Sequence, residues 1–166
     1  MIVFWATWAI AIAAVLSFGA VLLFGAPYMP TLKKSCLDAL DLLDLKPGQT
    51  LYELGSGDGV MLRLAAQRGI KVVGYELNPF LLAISWLRTL RYRKQVKIHW
   101  GNFWRADLSK ADAVFAFLLD RFMADLDKKI LAEKGTKEIK LVSHAFEIKS
   151  RKAAKKSGAL FLYTYS

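Results

Sequence analysis

The chain has 166 residues, of which 55% are hydrophobic, and Lys plus Arg outnumber Asp plus Glu by 24 to 14. This length suits one modest domain. The single cysteine, Cys36, cannot close an intramolecular disulfide, and two histidines with one thiol cannot build a Cys/His zinc cluster. The composition therefore excludes a disulfide-stapled secreted scaffold and a zinc module, and it fits a reducing compartment.

An apolar segment opens the chain. No Asp, Glu, Lys or Arg precedes Lys33, and residues 2–26 are almost all apolar. A helix of that length reaches about 36 Å, enough to cross a hydrocarbon core about 30 Å thick. We predict a transmembrane anchor over residues 1–26, in preference to a signal peptide, which would have a basic start and a shorter apolar stretch, or a buried core helix. Because Lys33 and Lys34 flank its exit, the positive-inside rule predicts a cytoplasmic domain.

Strand and helix patterns alternate through the rest of the chain. They predict, in order, a helix beside the membrane (33–45), a strand (49–54), a helix (60–68), a strand (71–76), a helix (79 to about 92), strands at 96–100 and 113–118, a helix (123–133), a strand (138–146), a basic loop or short helix (149–156) and an edge strand (159–165). Such alternation indicates an α/β, Rossmann-like, doubly wound and mainly parallel sheet. Residues 27–48 are predicted to be a juxtamembrane segment with the leading helix, and 49–166 the globular domain.

A glycine-rich loop, Glu53–Gly59, follows the first strand directly. In open α/β sheets, ligands bind beyond the carboxyl ends of the strands, and glycines let a ligand approach the backbone closely. Glu76 ends the next strand, where a carboxylate can accept hydrogen bonds from both ribose hydroxyls. The two segments therefore predict a nucleoside-containing cofactor.

The loop chemistry selects among such cofactors. Val60 occupies the last small position of the dinucleotide fingerprint and is too large for it. Glu53 and Asp58 flank the loop, where they would repel a pyrophosphate and attract a ligand with ammonium and sulfonium charges. S-adenosylmethionine is such a ligand. No Lys-Ser/Thr pair follows the glycines, which excludes a phosphate-binding P-loop.

Several segments together carry a family resemblance: Pro27–Thr31, Glu53–Gly59, Gly74–Pro79, Asn102–Trp104, Leu118–Leu119 and Ser143–Phe146. In these segments the chain resembles class I S-adenosylmethionine-dependent methyltransferases. More narrowly, it is similar to the membrane-anchored protein-lysine methyltransferases of the ATP-synthase c-subunit and ADP/ATP-carrier kind and to their prokaryotic relatives.

The resemblance implies a set of cofactor-binding residues: Thr31, Glu53, Gly55, Gly57, Asp58, Gly59, Glu76, Asn78, Asn102 and Phe103. Glu53 and the glycines would surround the methionine part, Glu76 would hold the ribose, and Asn102 with Phe103 would border the adenine. The chain departs from the family pattern at Asn102, which replaces the usual Asp, and at Val60, which replaces the usual Arg. Its tail after Phe146 also differs, and this predicts a sheet that is short of one C-terminal strand.

The function expected from this resemblance is methyl transfer to a lysine of a membrane protein, with no metal. His144 and Asp120, at the carboxyl ends of neighbouring strands, are candidates for orienting or deprotonating the lysine amine. For His144 a purely structural role at its strand end is the favoured alternative. The alternatives are a small-molecule or lipid methyltransferase and a membrane-anchored binding module that has lost turnover.

Two basic runs, Arg88–Lys97 and Lys149–Lys156, are open to three interpretations. They can contact anionic lipid headgroups, form a solvated face, or bind nucleic acid phosphates. The apolar start of the chain favours contact with the lipid bilayer, and nucleic acid is the least favoured partner.

Overall fold

A computed structural model describes residues 1, 4–8, 12 and 31–166 of the chain. Residues 4–8 and 12 are helical. Within these described ranges, no helix is both long enough and apolar enough to cross a bilayer. Most of the predicted anchor, residues 1–26, lies outside the described residues.

Seven strands and four helices follow in the described part of the chain. They are α1 (Lys33–Leu43), β1 (Thr50–Leu54), α2 (Val60–Gln67), β2 (Lys71–Glu76), α3 (Pro79–Thr89), β3 (Val96–Trp100), β4 (Ala113–Ala116), α4 (Asp120–Glu133), β5 (Ile139–His144), β6 (Lys155–Ser157) and β7 (Leu160–Tyr165). Short 3-10 helices lie at Leu90–Tyr92 and Phe103–Arg105.

All seven strands form one sheet, in the order β3-β2-β1-β4-β5-β7-β6. Strands β1 to β5 are parallel, whereas β7 is antiparallel to both β5 and β6. The predicted mainly parallel, helix-covered sheet is therefore confirmed. This strand order brings the carboxyl ends of β1, β2 and β4 side by side at one edge of the sheet.

The C-terminal part corrects three predictions. The sheet is not one strand short, because Lys155–Ser157 form β6, which overlaps the end of the segment 149–156 predicted as a loop or short helix. The strand over 159–165 is not at the edge either, since β7 lies between β5 and β6. All three residues of β6 are exposed, so no hydrophobic alternation marks the strand in the sequence, and its lysines are typical of a protected sheet edge.

The helices cover the two faces of the sheet unequally. Helices α1, α2 and α3 lie side by side on one face, where α1 contacts α2 and buries Cys36, Ala39, Leu40 and Leu43. The opposite face is covered by α4, which packs Met123, Leu126 and Ile130 against the other core cluster. The leading helix therefore shares the core of the domain.

A buried carboxylate, Asp127 of α4, ties the C-terminal residues to this second face. It accepts hydrogen bonds from the Tyr165 hydroxyl at 2.8 Å, Arg151 Nε at 3.0 Å and Ser150 Oγ at 3.0 Å. Burial alone would raise the pKa of Asp127, but these hydrogen bonds lower it below its ordinary value. The network holds the loop after β5 and the end of β7 against α4.

Candidate functional site

The glycine loop turns sharply between β1 and α2. The backbone N–H groups of Gly55 and Ser56 both donate to the Tyr75 carbonyl, at 3.0 and 2.8 Å, and Gly59 N–H donates to the Ser56 carbonyl at 2.9 Å. Gly55 has φ +93°, which favours glycine, and no atom lies within 4 Å of the place its Cβ would occupy. The backbone of Gly55 is therefore open to a ligand.

Gly59 has a packing role as well. A Cβ on Gly59 would lie 2.4 Å from Ser85 Oγ and 3.0 Å from Ser85 Cα, so the start of α2 approaches α3 too closely for any side chain. Gly74 on β2 is similar, because a Cβ there would meet Leu62 and Ser56 side chains at 3.0 Å. These glycines let the loop and two helices close around the strand ends.

Glu76 is the centre of the hydrogen-bond pattern at the strand ends. One carboxylate oxygen accepts from Gly57 N–H at 2.7 Å, and the other accepts from Asn78 N–H at 2.8 Å. Burial raises the pKa of Glu76, while the backbone donors of Asn78, Gly57 and Leu77 oppose that shift. Each oxygen keeps a second lone pair, so the fixed carboxylate can still accept hydroxyl groups.

Glu53, at 6% exposure, is just as buried but lacks such partners. Its Oε2 atom is buried with no hydrogen-bond partner among the described residues. Burial raises the pKa of Glu53 well above its ordinary value, and the charges of Glu76 and Asp58 add to the shift. An unsatisfied buried acceptor is costly, and a cationic ligand would relieve that cost.

Two further predicted residues have structural partners. Asp58 forms an ion pair with Arg88 of α3, so its charge is compensated and contributes less to attracting a cation than the sequence alone suggests. Asn78 caps α3, because its Oδ1 accepts from Phe80 N–H at 2.9 Å and Leu81 N–H at 3.3 Å. Its buried Nδ2 has no partner among the described residues and is a donor available to a ligand.

The remaining predicted cofactor residues surround the strand ends less closely. Asn102 follows β3, and its Oδ1 accepts from Trp104 N–H at 3.0 Å, which fixes the turn into the short helix. Phe103 is buried in the core cluster beside Trp104. Thr31 is half-buried just before α1. Their contacts with a cofactor stay predictions.

The two candidate catalytic residues differ in their surroundings. His144 ends β5, packs edge-on to Phe117 with ring centroids 4.3 Å apart, and has a buried Nδ1 with no partner among the described residues. Burial lowers the pKa of His144, which favours the neutral ring. The next residue, Ala145, has φ +71° and donates its N–H to the Ala159 carbonyl at 2.7 Å. Asp120, the exposed first residue of α4, accepts from Lys149 Nζ at 2.7 Å.

Sequence reasoning missed Ser56 and Arg88. Ser56 lies in the loop with a buried hydroxyl that has no partner among the described residues, and Arg88 neutralises Asp58. The serine was visible as part of the loop, but a contact between residues thirty positions apart leaves no local pattern. In the described residues no three His, Cys, Asp or Glu side chains lie close enough to hold a metal ion.

Comparison with known proteins places this geometry in a family. The family model described as the ANTKMT methyltransferase domain matches residues 53–155, which contain the glycine loop, Glu76 and His144. The chain belongs to the ANTKMT methyltransferase family. The resemblance predicted from the sequence motifs is thereby confirmed.

Individual relatives of this chain agree with the family assignment. It is 32% identical over 109 residues to the ATP synthase c-subunit lysine N-methyltransferase of Homo sapiens, covering 64% of this chain and 46% of the relative. It is 33% identical over 129 residues to Protein-lysine N-methyltransferase of Saccharolobus islandicus (strain REY15A), covering 74% of this chain and 78% of the relative. The chain thus spans about half the length of the vertebrate ATP synthase c-subunit methyltransferases that it matches.

Solved methyltransferase structures share the fold. An RNA methyltransferase from Salinibacter ruber, in complex with S-adenosyl-L-homocysteine, superposes with a TM-score of 0.72 at 25% identity, covering 82% of this chain and 92% of that chain. A geranyl diphosphate methyltransferase in complex with SAM superposes with a TM-score of 0.57 at 20% identity, over 74% of this chain and 53% of the other. The second similarity concerns the fold alone.

Proposed function

We propose that this protein is an S-adenosylmethionine-dependent protein-lysine methyltransferase that acts at a membrane. The observation that carries the proposal is the pair of buried carboxylates, Glu53 and Glu76, at the ends of adjacent parallel strands around an open glycine loop. Membership of the ANTKMT methyltransferase family and the lysine N-methyltransferase names of its relatives support it.

The residues present fit this cofactor. Glu76, fixed by two backbone donors, offers acceptors for the two ribose hydroxyls, and the unpartnered Oε2 of Glu53 offers an acceptor for the ammonium group. Gly55 would leave room for the methionine part, and Asn102 with Phe103 would border the adenine, as the family resemblance implies. When bound, S-adenosylmethionine supplies an electrophilic methyl group on a sulfonium.

The protein's own contribution to transfer is mainly positioning, because the sulfonium leaving group needs no protonation. A lysine amine must lose its proton first, and desolvation lowers its pKa. We propose that His144, whose own pKa is lowered by burial, stays neutral and either orients the amine or accepts its proton. Asp120 is the second candidate. It pairs with Lys149, and its side chain stays 47% exposed.

The proposed acceptor is a lysine of a membrane protein. Relatives are named for the ATP synthase c-subunit and for adenine nucleotide translocase, and the apolar residues 2–26 of this chain favour a membrane location. We propose a single-pass anchor over residues 1–26, with the domain on the cytoplasmic side, or on the matrix side in a mitochondrion, because Lys33 and Lys34 follow the apolar segment.

The test compares lysine methylation in membrane and soluble fractions of cells that contain the gene, lack it, or carry a Glu76→Ala copy. Mass spectrometry should find at least one membrane-protein lysine that is methylated only with the wild-type copy. Methylation that changes only in RNA, lipid or small molecules would contradict the lysine acceptor while leaving methyl transfer intact. Equal methylation with the Glu76→Ala copy would contradict the site assignment.

A further inference from the structure

Helix α3 has its apolar and polar residues in an unusual arrangement. Its buried residues are Leu81, Ser85 and Thr89, spaced four apart, and two of the three are polar. Gly59 leaves the space that Ser85 fills, and the Thr89 hydroxyl donates to the Ser85 carbonyl at 2.8 Å. Small polar residues therefore face the domain, and most of the helix circumference faces outward.

Large apolar side chains occupy the outward side. Those more than 40% exposed on α3, on the turn after it and at the end of β3 are Ile84 (44%), Trp86 (58%), Leu87 (61%), Leu90 (41%) and Trp100 (70%). Past residue 100, the only large hydrophobic side chain exposed to a similar degree in the described residues is Leu131. Exposed apolar side chains concentrated in one area mark an interaction surface.

Four cations, Arg91, Arg93, Lys94 and Lys97, lie between the end of α3 and the first residues of β3. All four are exposed, and within the described part of the chain none forms a salt bridge. We call the five apolar residues and these four cations the α3 surface.

A groove of about 360 Å³ runs into the α3 surface between α3 and the edge strand β3. Four apolar residues, Trp86, Leu90, Val96 and Ile98, line it together with the cations Arg93 and Lys97 and with Thr89 and His99. A lining that combines apolar and cationic residues matches a molecule that has an acyl chain and an anionic headgroup. Interfacial helices of membrane-bound proteins combine the same two features.

Two other occupants of the α3 surface are conceivable, namely the apolar N-terminal segment of this chain and a second copy of the protein. The charges argue against both. The first 32 residues of this chain contain no Asp or Glu, so the apolar N-terminal segment cannot neutralise the four cations. A second copy of the same face would place like charges together, which is unfavourable. Anionic lipid headgroups supply the missing charge, and the lipid interior accepts the apolar side chains.

We propose that the α3 surface docks on an anionic lipid bilayer, with its cations at the headgroups and its apolar side chains below them. This inference rests on the proposed membrane location, but not on methyl transfer. Because α3 begins three residues after Glu76, docking along the whole length of the helix would bring the cofactor site beside the bilayer. A lysine emerging from the membrane would then meet the site without leaving the interface.

A fluorescent label tests the contact in the full chain, reconstituted in phosphatidylcholine vesicles with or without one-third phosphatidylglycerol. The label is attached to Leu87→Cys, and a matched label to Lys152→Cys in the other basic run. The native Cys36 does not compete, because it is 1% exposed and burial raises its pKa to about 12. Brominated lipid reports contact with the bilayer, and iodide reports contact with water.

In vesicles with phosphatidylglycerol, we expect the label at 87 to be quenched by brominated lipid and shielded from iodide. The label at 152 should show the reverse. A fourfold Arg91→Gln, Arg93→Gln, Lys94→Gln, Lys97→Gln variant should lose about tenfold or more of the shielding at 87. A control with the same change of charge, Lys149→Gln, Lys152→Gln, Lys155→Gln, Lys156→Gln, should retain the shielding.

Flotation of the vesicles separates the possible failures. A chain that floats with the vesicles while residue 87 stays open to iodide would overturn docking through α3 and leave the membrane location standing. Shielding from iodide without quenching by brominated lipid would also overturn it, because a protein surface would then cover α3. A chain that does not float would contradict the proposed membrane location as well, while methyl transfer remains testable in detergent.

Discussion

Two equally buried carboxylates of this protein have pKa values that are shifted in opposite directions. Asp127 is 7% exposed and Glu53 is 6% exposed, yet the pKa of Asp127 is lowered and that of Glu53 is raised. Three donors reach Asp127, whereas one oxygen of Glu53 has none among the described residues. Burial therefore does not decide the state of a carboxylate here. The strength of its partners matters as well, because three side-chain donors outweigh burial at Asp127, whereas the backbone donors at Glu76 only oppose it.

The contrast is tested most strongly at Glu76, which lies with Glu53 at the strand ends. We expect Glu76→Ala to weaken S-adenosylmethionine binding by about 100-fold or more, because it removes two hydrogen bonds to a charged group, each worth about 1.5–3 kcal/mol. Calorimetric titration of the full chain in mild detergent measures the affinity. Asp127→Asn is the matched control and should bind as the wild type does. Full affinity in Glu76→Ala would refute the ribose role.

Asp127→Asn should instead reduce the free energy of unfolding, by about 2–3 kcal/mol at pH 7, because the cation of Arg151 loses its charged acceptor. The lowered pKa makes this stabilisation complete above the ordinary value of 3.8 and removes it as the pH falls through the folded-state value. Urea unfolding at pH 7 and pH 3 measures both. Asp125→Asn, an exposed change on the same helix, should leave stability within about 0.5 kcal/mol.

Glu53→Gln should remove a pH dependence of the free energy of unfolding whose sign is opposite to that of Asp127. Because the folded-state pKa of Glu53 is raised, the folded protein holds a proton that the unfolded chain has released, and the free energy of unfolding falls as the pH rises. The slope is at most about 1.4 kcal/mol per pH unit, between the ordinary value near 4.5 and the raised value. Unfolding curves across that range measure it. If the free energy of unfolding changed with pH in the same way in the wild type and the variant, the unpartnered state of Glu53 would be contradicted.

The smallest effect is expected at Asp120, whose side chain is 47% exposed in its pair with Lys149. Asp120→Asn should change the free energy of unfolding by less than about 0.5 kcal/mol, because exposed ion pairs contribute little. Lys149→Gln should match it in the same unfolding assay. A loss several times larger would show that this pair supports the fold in the way that Asp127 does.

Sequence reasoning reached the glycine loop and its flanking acids because they are local. A buried strand, a glycine turn and a helix follow each other within 30 residues, and the predicted positions of β1, α2 and β2 agree with the structure to within a residue or two. Sequence reasoning could not find the side chains that pair with the buried or charged residues. Arg88 lies 30 residues from Asp58, and Tyr165 lies 38 residues from Asp127, so only the fold brings them together.

The two basic runs show the same limit. In the sequence they are alike, and lipid contact was predicted equally for both. In the fold, Lys149, Arg151 and Lys156 have acidic partners, whereas the four cations after α3 have none in the described residues. Strand β6 was missed because three exposed residues carry no burial pattern.

Ala145, with its φ of +71°, has a consequence for the unfolded chain. A left-handed conformation costs an L-residue about 1–2 kcal/mol, whereas glycine would adopt it freely but lose more conformational entropy on folding. Part of the cost in the folded state is thus offset, because alanine restricts the denatured ensemble. The hydrogen bond from Ala145 to Ala159 then maintains the turn that positions His144. That turn depends on tertiary contacts, and we expect an isolated peptide of these residues to lose it.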